Sequence, residues 1–537
     1  MSNQIHIIQN AITTTISEIF RGDFRRICEV KKAVLHLEAI YFCHGTCYLL
    51  KRENMPIKDQ LALYQRIELI PQSTTEFFEN NRECIINNWP EESALAAKPE
   101  ILYDALLASE FCVQPERVGY KIDKVSRDIA GAYYTSSDFS AQITYRALEN
   151  YMDRKRRRAI DSDSFACCNE YENITFLDYS CGCGEFLLAV IQYFDNHVLG
   201  YSRKKLATQL RGVDVNPIAL MITIARIVSA VEAEDDENLL REVAKNFIVG
   251  NPLLHSDKIA PLEVRFDNFA LNRLYAETEG INCLELEQQN LVVLGNPPWE
   301  KLRFEERAFF RPVCPAISAI SQKNKREKEI KKLAVNWLEL LEYYQLLQDD
   351  YASVKKEIPK HPLLKVSLVG ELNTYAMFAE LASRLTEKDG FAAIIVKSAL
   401  VTSTCYSSCF RHFVNQGSLS EVFLFDNREK LFQIDSREKF CVLFFGGEHA
   451  GGIKVHYGLT KQEQILSSVP INVTSEELEL INPETGLLPN VADSKEFSFL
   501  LRTHRSLSVF AKEFPKCHFE IYYYLIYLSL QIYLLLI

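Results

Sequence analysis

The residues best suited to chemistry in this 537-residue chain are Asn296-Pro297-Pro298-Trp299, which follow the apolar run 291–295. The run predicts a buried strand that delivers an amide, a rigid turn and an aromatic ring into a pocket. The Asn296 side-chain oxygen can accept a hydrogen bond from an exocyclic amine, and the Pro297 carbonyl offers a second acceptor. Trp299 adds an indole face on which a base could stack. The pattern predicts a site for a planar amine, and a Pro-Pro loop after a core strand is the alternative.

A second segment has the form of a strand, a glycine loop and a helix. Residues 174–180 predict the strand, Cys181-Gly182-Cys183-Gly184 the loop, and the apolar stretch from Phe186 to Phe194 the helix. Gly182 and Gly184 would let the backbone approach a ligand closely, while the helix N-terminus presents N–H groups to a carboxylate or ribose. A Gly-x-Gly pattern by itself is weak evidence for a nucleotide site, so later strand ends must support it.

Two further strand ends carry polar residues. Asp214 ends a short strand, Asn216 is suited to N-cap the next helix, and Pro217 suits its first turn. An acid at that position can accept hydrogen bonds from ribose hydroxyls. Asn251 follows the next apolar run, 247–249. This order of strand ends predicts an α/β fold with a doubly wound sheet whose ligand crevice lies at the carboxyl edge.

In motif order the chain resembles the class I S-adenosylmethionine-dependent amino-methyltransferases, specifically adenine-N6 DNA methyltransferases of the large single-chain restriction-modification, type IIG-like kind. Residues 131–136 resemble the N-terminal motif of that family, with Ser136 where a proline is common. The resemblance implies a Rossmann-like methyltransferase sheet, and the pattern of the first 120 residues predicts a helical N-terminal region beside it. It also implies cofactor contacts from Tyr134 and Thr135 (methionine end), Asp178, Gly182 and Gly184 (amino-acid part), Asp214 (ribose) and Asn251 (adenine).

By the same resemblance, Asn296, Pro297, Pro298 and Trp299 would hold the target base. The implied activity is transfer of a methyl group from S-adenosylmethionine to the exocyclic amine of adenine in DNA, within a restriction-modification or phage-defence system. The implied partners are double-stranded DNA and a restriction or specificity subunit. Two alternatives stay open: methylation of RNA or of a protein glutamine by the same site, and a catalytically idle fragment that binds cofactor or DNA.

The predicted organisation has three parts: a helical region over 1–120, a catalytic domain over 121–457 with a basic insert at 300–365, and the start of a C-terminal region over 458–537. The apolar tail 521–537 reaches only the lower edge of the length that spans a bilayer, and no membrane partner is expected. About eighty residues follow Tyr457, fewer than a recognition domain of roughly 100 residues or more needs, which suggests a truncated product.

Composition and charge narrow the class of protein. With 47% hydrophobic and 24% charged residues, the chain is typical of a globular enzyme. Its 15 cysteines lack the spacing of a metal site, so we expect a reducing cytoplasm and predict no metal site. Because the net charge is −11, DNA contact would depend on local basic patches at 154–158 and 323–332. A solvated helix face is the alternative for each patch.

Overall fold

The computed structural model describes residues 2–122, 135–161, 171, 173–257, 259–273, 280–282, 290–386, 389–446 and 452–513. Tyr134, which was predicted to contact the cofactor, and the apolar tail 521–537 lie outside these residues.

The N-terminal region is mostly helical, as predicted, and ends in a β-hairpin that the sequence did not predict. Its helices are α1 (Ser2–Ile19), α2 (Ile27–Leu49), α3 (Ile57–Arg66), α4 (Gln72–Asn80), α5 (Arg82–Asn87), α6 (Glu92–Leu95) and α7 (Pro99–Leu107). The hairpin pairs β1 (Ser109–Gln114) with β2 (Arg117–Ile122). Helix α2 is buried along most of its length, because it is apolar on nearly every side. It is the centre of this region, and other helices pack around it.

Nine of the described strands form a central sheet: β3 (Thr175–Asp178), β4 (Leu210–Asp214), β5 (Phe247–Val249), β8 (Leu291–Gly295), β9 (Phe391–Lys397), β10 (Leu419–Asp426), β11 (Lys439–Phe445), β12 (Ile453–Leu459) and β13 (Ile471–Val473). Their order across the sheet is β13-β12-β10-β11-β9-β8-β3-β4-β5. Strands β5, β4, β3, β8 and β9 are parallel, so their carboxyl ends meet at one edge. Strand β11 is antiparallel to both of its neighbours, β10 and β9. A small separate pair joins β6 (Asn251–His255) to β7 (Gly280–Ile281).

Helices connect the parallel strands, as parallel pairing requires. Helix α8 (Ser137–Asp161) precedes β3. The connecting helices are α9 (Glu185–His197), α10 (Arg203–Gln209), α11 (Pro217–Ala230), α12 (Glu237–Ala244), α13 (Leu262–Ala270) and α18 (Thr374–Leu385). Helix α2 packs on α11, so the N-terminal region joins the sheet domain directly. The core of the sheet lies at β8 and β9, whose residues are buried on both faces except at Lys397.

The basic insert is helical and lies between β8 and β9. It contains α14 (Glu306–Val313), α15 (Pro315–Ser318), α16 (Lys323–Asn336) and α17 (Leu338–Glu357). The remaining described helices come after β9: α19 (Ala399–Thr402), α20 (Ser407–Asn415), α21 (Gln464–Ser467), α22 (Ser475–Ile481) and α23 (Ser494–Glu513). Short 3₁₀ turns occur at Ile358–Lys360, Thr404–Tyr406 and Asn427–Glu429. Because β12 and β13 extend the sheet, it continues past residue 457.

The doubly wound α/β sheet predicted from the sequence is confirmed. Strand β8 has the predicted bounds, and β4 ends at Asp214 as expected. Asn216 accepts a hydrogen bond from the Ile218 N–H at 3.0 Å and Pro217 begins α11, so the predicted cap is confirmed as well.

Candidate functional site

Strands β3 and β8 bring two predicted site segments into contact. Leu177 pairs with Val293, which places Asp178 beside the end of β8. The approach is so close that a Cβ on Gly295 would lie 2.8 Å from the Asp178 Oδ1 atom. Only glycine fits there without displacing the carboxyl group. The base-site loop that begins at Asn296 therefore starts directly against the predicted cofactor carboxylate.

The glycine loop after β3 reaches across to β4. Gly182 and Gly184 have φ angles of +49° and +84°, in the left-handed region that favours glycine. The Gly182 N–H donates to Asp214 Oδ2 at 2.8 Å. A Cβ on Gly184 would meet Thr223 Cγ2 at 2.7 Å, whereas a Cβ on Gly182 would meet open space. The loop is therefore packed tightly at Gly184 and has open space on the Cβ side of Gly182.

Asp214 is held in place by backbone donors. Besides the Gly182 N–H, it accepts the Asn216 N–H at 2.8 Å through Oδ1. Burial raises the pKa of its carboxyl group above the usual range, and these N–H donors oppose that shift. Between the two residues Val215 is 38% exposed, an apolar side chain that the sequence analysis did not single out. The strand end thus presents a carboxylate next to an exposed apolar surface.

Asp178 is the more deeply buried of the two carboxyl groups, at 2% exposed. It accepts the Ser180 N–H at 3.0 Å. Burial raises its pKa to about 8, and the nearby Asp214 charge adds to the rise. In the described part of the chain no cation is among the groups that shift either pKa. The carboxyl edge of the sheet therefore holds two neighbouring acids whose partners in the described ranges include no cation.

Asn251 lies near Asp214 through the backbone. The Gly250 N–H donates to the Asp214 carbonyl at 2.9 Å, and Asn251 begins β6. Its Oδ1 atom accepts the Leu253 N–H at 3.0 Å, which fixes the orientation of the amide.

Asn296 is joined to the N-terminal motif. Its Nδ2 donates to Thr135 Oγ1 at 3.1 Å, and Thr135 is buried. This bond fixes which end of the amide carries the nitrogen. The other end of the Asn296 side chain is then the oxygen, which accepts hydrogen bonds. Within the described residues no hydrogen bond ends on the Pro297 carbonyl. The two acceptors proposed for an amine therefore lie next to each other on this loop.

Thr374, the first residue of α18, fixes the other end of the loop by hydrogen bonds. Its hydroxyl donates to the Pro298 carbonyl at 2.6 Å and accepts the Glu300 N–H at 3.1 Å. Its own N–H donates to the Glu300 carbonyl at 3.0 Å. Burial raises the pKa of the Glu300 carboxyl to about 8. The only sequence signal for this role is a threonine after Asn373, ahead of an apolar helix.

Trp299 lies in the core instead of offering an open face. It is 5% exposed, and its Nε1 donates to the Ile395 carbonyl at 3.3 Å. Its ring stacks on Phe440, with centroids 6.0 Å apart, and meets Phe432 edge-on at 5.3 Å. Asn427 holds Phe432 through hydrogen bonds to both its N–H and its carbonyl. The expectation of an exposed stacking surface does not describe this conformation, because the aromatic cluster covers the indole.

The basic patches differ from their sequence interpretation. Arg154 is buried and donates to the carbonyls of Asp389, Gly390 and Gly446, so it serves the protein's own backbone. Arg326 is also buried, against Glu306. Arg156 and Arg157 of the first patch are exposed. On the outer face of α16, three exposed lysines have no ion pair among the described residues: Lys325, Lys328 and Lys331. We call this set the α16 lysine strip.

A cavity of about 400 Å³ opens between the hairpin β1–β2 and the α14–α15 segment. Arg117 and Lys121 line it, together with Arg311, which pairs with Glu110 at 3.2 Å. It contains none of the predicted site residues. Across the described ranges there is no cluster of three or more His, Cys, Asp or Glu side chains arranged for a metal ion. No helix in those ranges is both long and apolar enough to cross a membrane.

Neither a known protein-family model nor a curated protein sequence matches this chain. Solved structures do resemble it. The DNA complex of DrdV is 13% identical, with a TM-score of 0.43, over 84% of this chain and 43% of that chain. A nuclease-deletion mutant of the type ISP restriction-modification enzyme LlaGI, bound to a DNA substrate mimic, is 13% identical, with a TM-score of 0.42, over 86% and 35%. A putative class I S-adenosylmethionine-dependent methyltransferase from Listeria monocytogenes is 10% identical, with a TM-score of 0.35, over 87% and 97%.

This chain spans less than half the length of the DrdV and LlaGI chains. Its fold is the Rossmann-like, doubly wound α/β sheet predicted from the sequence, with a helical N-terminal region. The strand order and the parallel register define that class within this chain itself.

Proposed function

We propose that this protein transfers a methyl group from S-adenosylmethionine to the exocyclic amine of adenine in DNA. The observation that carries the proposal is the contact between two strand ends. The end of β8, which leads into the Asn296 loop, packs on Asp178 at the end of β3, and the glycine loop joins β3 to Asp214. An amine site and a nucleotide site are thereby neighbours at one edge of the sheet.

The residues at this edge suit the proposed cofactor. Asp214 would accept the ribose hydroxyls, Val215 and Asn251 would lie along the adenine, and the open side of Gly182 would face the amino-acid part. Asp178 would balance positive charge at that part, and Thr135 would flank the methionine end. S-adenosylmethionine supplies an electrophilic methyl group on a positively charged sulfur. Tyr134 belongs to this proposed site because residues 131–136 resemble the N-terminal motif of the methyltransferase family.

At the target base, Asn296 Oδ1 and the Pro297 carbonyl oxygen would each accept a hydrogen bond from the exocyclic amine. This orients the nitrogen lone pair toward the methyl group, and positioning of that kind can supply much of the rate. The Thr135 bond to Asn296 and the Thr374 bonds to Pro298 and Glu300 hold the loop in this geometry. Trp299 would act mainly by anchoring the loop, because its ring is buried.

DNA is favoured as the substrate by the insert that comes after the loop. The α16 lysine strip lies on this insert, and its residues recur every three positions on one helix face. Successive exposed cations of this kind can follow a phosphate backbone. We further propose a cytoplasmic location, which fits the finding that the cysteines in the described ranges are free. The restriction-modification setting and a restriction or specificity subunit also belong to this proposal.

A methyl-transfer assay with labelled cofactor on plasmid DNA tests the proposal, with nucleoside mass spectrometry to identify the product. We expect N6-methyladenine with the wild-type protein and with Asn80→Ala, an exposed asparagine outside the site. Asn296→Ala should give none. If methyl transfer occurred only to RNA or only to a protein glutamine, that molecule and not DNA would be the substrate. Cofactor binding without transfer to any of these would identify an idle fragment.

A further inference from the structure

Helix α7 of the N-terminal region reaches the cofactor edge of the sheet through Tyr103. The buried Tyr103 hydroxyl accepts a hydrogen bond from Asn216 Nδ2 at 2.6 Å. The same Asn216 caps α11 through Oδ1 and donates its backbone N–H to Asp214. Since Asp214 in turn accepts the Gly182 N–H, a chain of hydrogen bonds runs from α7 into the glycine loop.

A second contact from α7 reaches the same loop by a different route. Glu100 lies 3.9 Å from Arg226 Nε. Arg226 donates to the Cys183 carbonyl at 2.5 Å and to Glu185 at 2.6 Å. The three charged side chains are mostly buried, at 15%, 11% and 9% exposed for Arg226, Glu100 and Glu185. A buried guanidinium with two carboxylates is strongly disturbed when one partner is removed.

We propose that α7 is a positioning element of the cofactor site, in which Tyr103 and Glu100 are positioning residues that act through Asn216 and Arg226. The inference rests on the proposed function, because it assumes that this loop binds S-adenosylmethionine. Both contacts end on groups that shape the loop: the Asp214 carboxylate and the Cys183 carbonyl. The N-terminal region is thus part of the cofactor site instead of a separate support, and cofactor binding is coupled to its packing.

The test compares Tyr103→Phe and Glu100→Gln with a matched control, Tyr120→Phe. The Tyr120 hydroxyl donates to Glu38 at 2.9 Å within the N-terminal region, so the control also removes one buried tyrosine hydroxyl and its hydrogen bond, but away from the loop. Two quantities are measured on the full chain. One is the dissociation constant for S-adenosylmethionine by calorimetry, and the other is the hydrogen–deuterium exchange rate of residues 181–186 without cofactor.

We expect the dissociation constant to rise roughly three- to tenfold for Tyr103→Phe and Glu100→Gln, the size expected for one lost hydrogen bond. The methyl-transfer rate at saturating cofactor should stay near the wild-type value, and the Gly182 amide should exchange faster. Tyr120→Phe should lower the unfolding midpoint without changing either quantity. Wild-type affinity and exchange in both site variants, with lowered stability alone, would overturn the inference.

Failure of the proposed function gives a different result. If the wild-type protein shows no binding heat with S-adenosylmethionine, the function is wrong, while the exchange rates still decide whether α7 positions the loop. Should Tyr103→Phe not fold, Glu100→Gln carries the same expectation through Arg226.

Discussion

Replacing Asp178 by asparagine should stabilise the protein at neutral and alkaline pH while it weakens cofactor binding. Burial raises the pKa of this carboxyl to about 8, against 3.8 for an exposed aspartate. Between these values the folded state keeps a proton that the unfolded chain has lost. Because the folded state binds more protons in this window, the free energy of unfolding falls as pH rises from about 4 to about 8.

The structure sets the magnitude of this effect. At pH 7 the distance above the unfolded pKa of 3.8 is 3.2 units. At 1.36 kcal/mol per unit, the raised pKa lowers the free energy of unfolding at pH 7 by at most about 4 kcal/mol. A neutral asparagine does not cause this loss. An asparagine oxygen can still accept the Ser180 N–H that Asp178 accepts at 3.0 Å. Below about pH 4 the two proteins should therefore differ little.

The assay is urea unfolding of the wild type and Asp178→Asn at half-unit steps from pH 5 to 8.5. Acids that do not interact with Asp178 titrate alike in both proteins, so they cancel in the difference. Glu300→Gln is the matched control: burial raises the pKa of Glu300 to about 8, so it should show a similar pH-dependent gain but keep cofactor affinity. A stability difference that does not change with pH would refute the reasoning for Asp178.

Three further predictions test the loop and the DNA surface. Asn296→Ala should abolish methyl transfer and leave the cofactor dissociation constant within about twofold by calorimetry, since a neutral side chain outside the glycine loop contributes little to it. Trp299→Ala should lower the free energy of unfolding by about 3–5 kcal/mol and Trp299→Phe by less, measured by urea unfolding; lost turnover at unchanged stability would restore base stacking as its role. Changing the α16 lysine strip to alanine should flatten the salt dependence of DNA affinity, measured by fluorescence anisotropy, by roughly 2–3 in log–log slope, and an unchanged slope would remove the strip from the interface.

Local sequence signals predicted the elements that carry the site. The apolar run before Asn296 gave the bounds of β8, because a short buried strand in a parallel sheet is apolar on both faces. Asn216 and Pro217 predicted the start of α11 because capping depends on adjacent residues. The order of strand ends predicted the doubly wound sheet. Each of these predictions depends on residues a few positions apart.

Contacts between distant segments could not be predicted in this way. Tyr103 and Asn216 are 113 positions apart, and nothing near either residue signals the other. The burial of Trp299 depends on Phe432 and Phe440, which arrive from another strand and its loop. Arg154 belongs to a basic run that predicts an exposed surface, yet its side chain is buried and donates hydrogen bonds to three backbone carbonyls. Packing between distant segments determines the surroundings of these side chains, and the neighbouring residues in the sequence carry no signal of it.

The buried acids link the stability of this fold to its proposed chemistry. Asp178 and Asp214 lie close enough for the charge of one to raise the pKa of the other, and no cation is among their partners in the described part of the chain. Packing alone would favour a neutral residue at position 178, because the carboxyl lowers stability above pH 4. A pair of acids kept at a strand edge despite this effect is suited to a ligand that brings positive charge. The sulfonium and amino groups of S-adenosylmethionine supply such charge, so the ligand itself would compensate two acids that have no cation among their partners in the described residues.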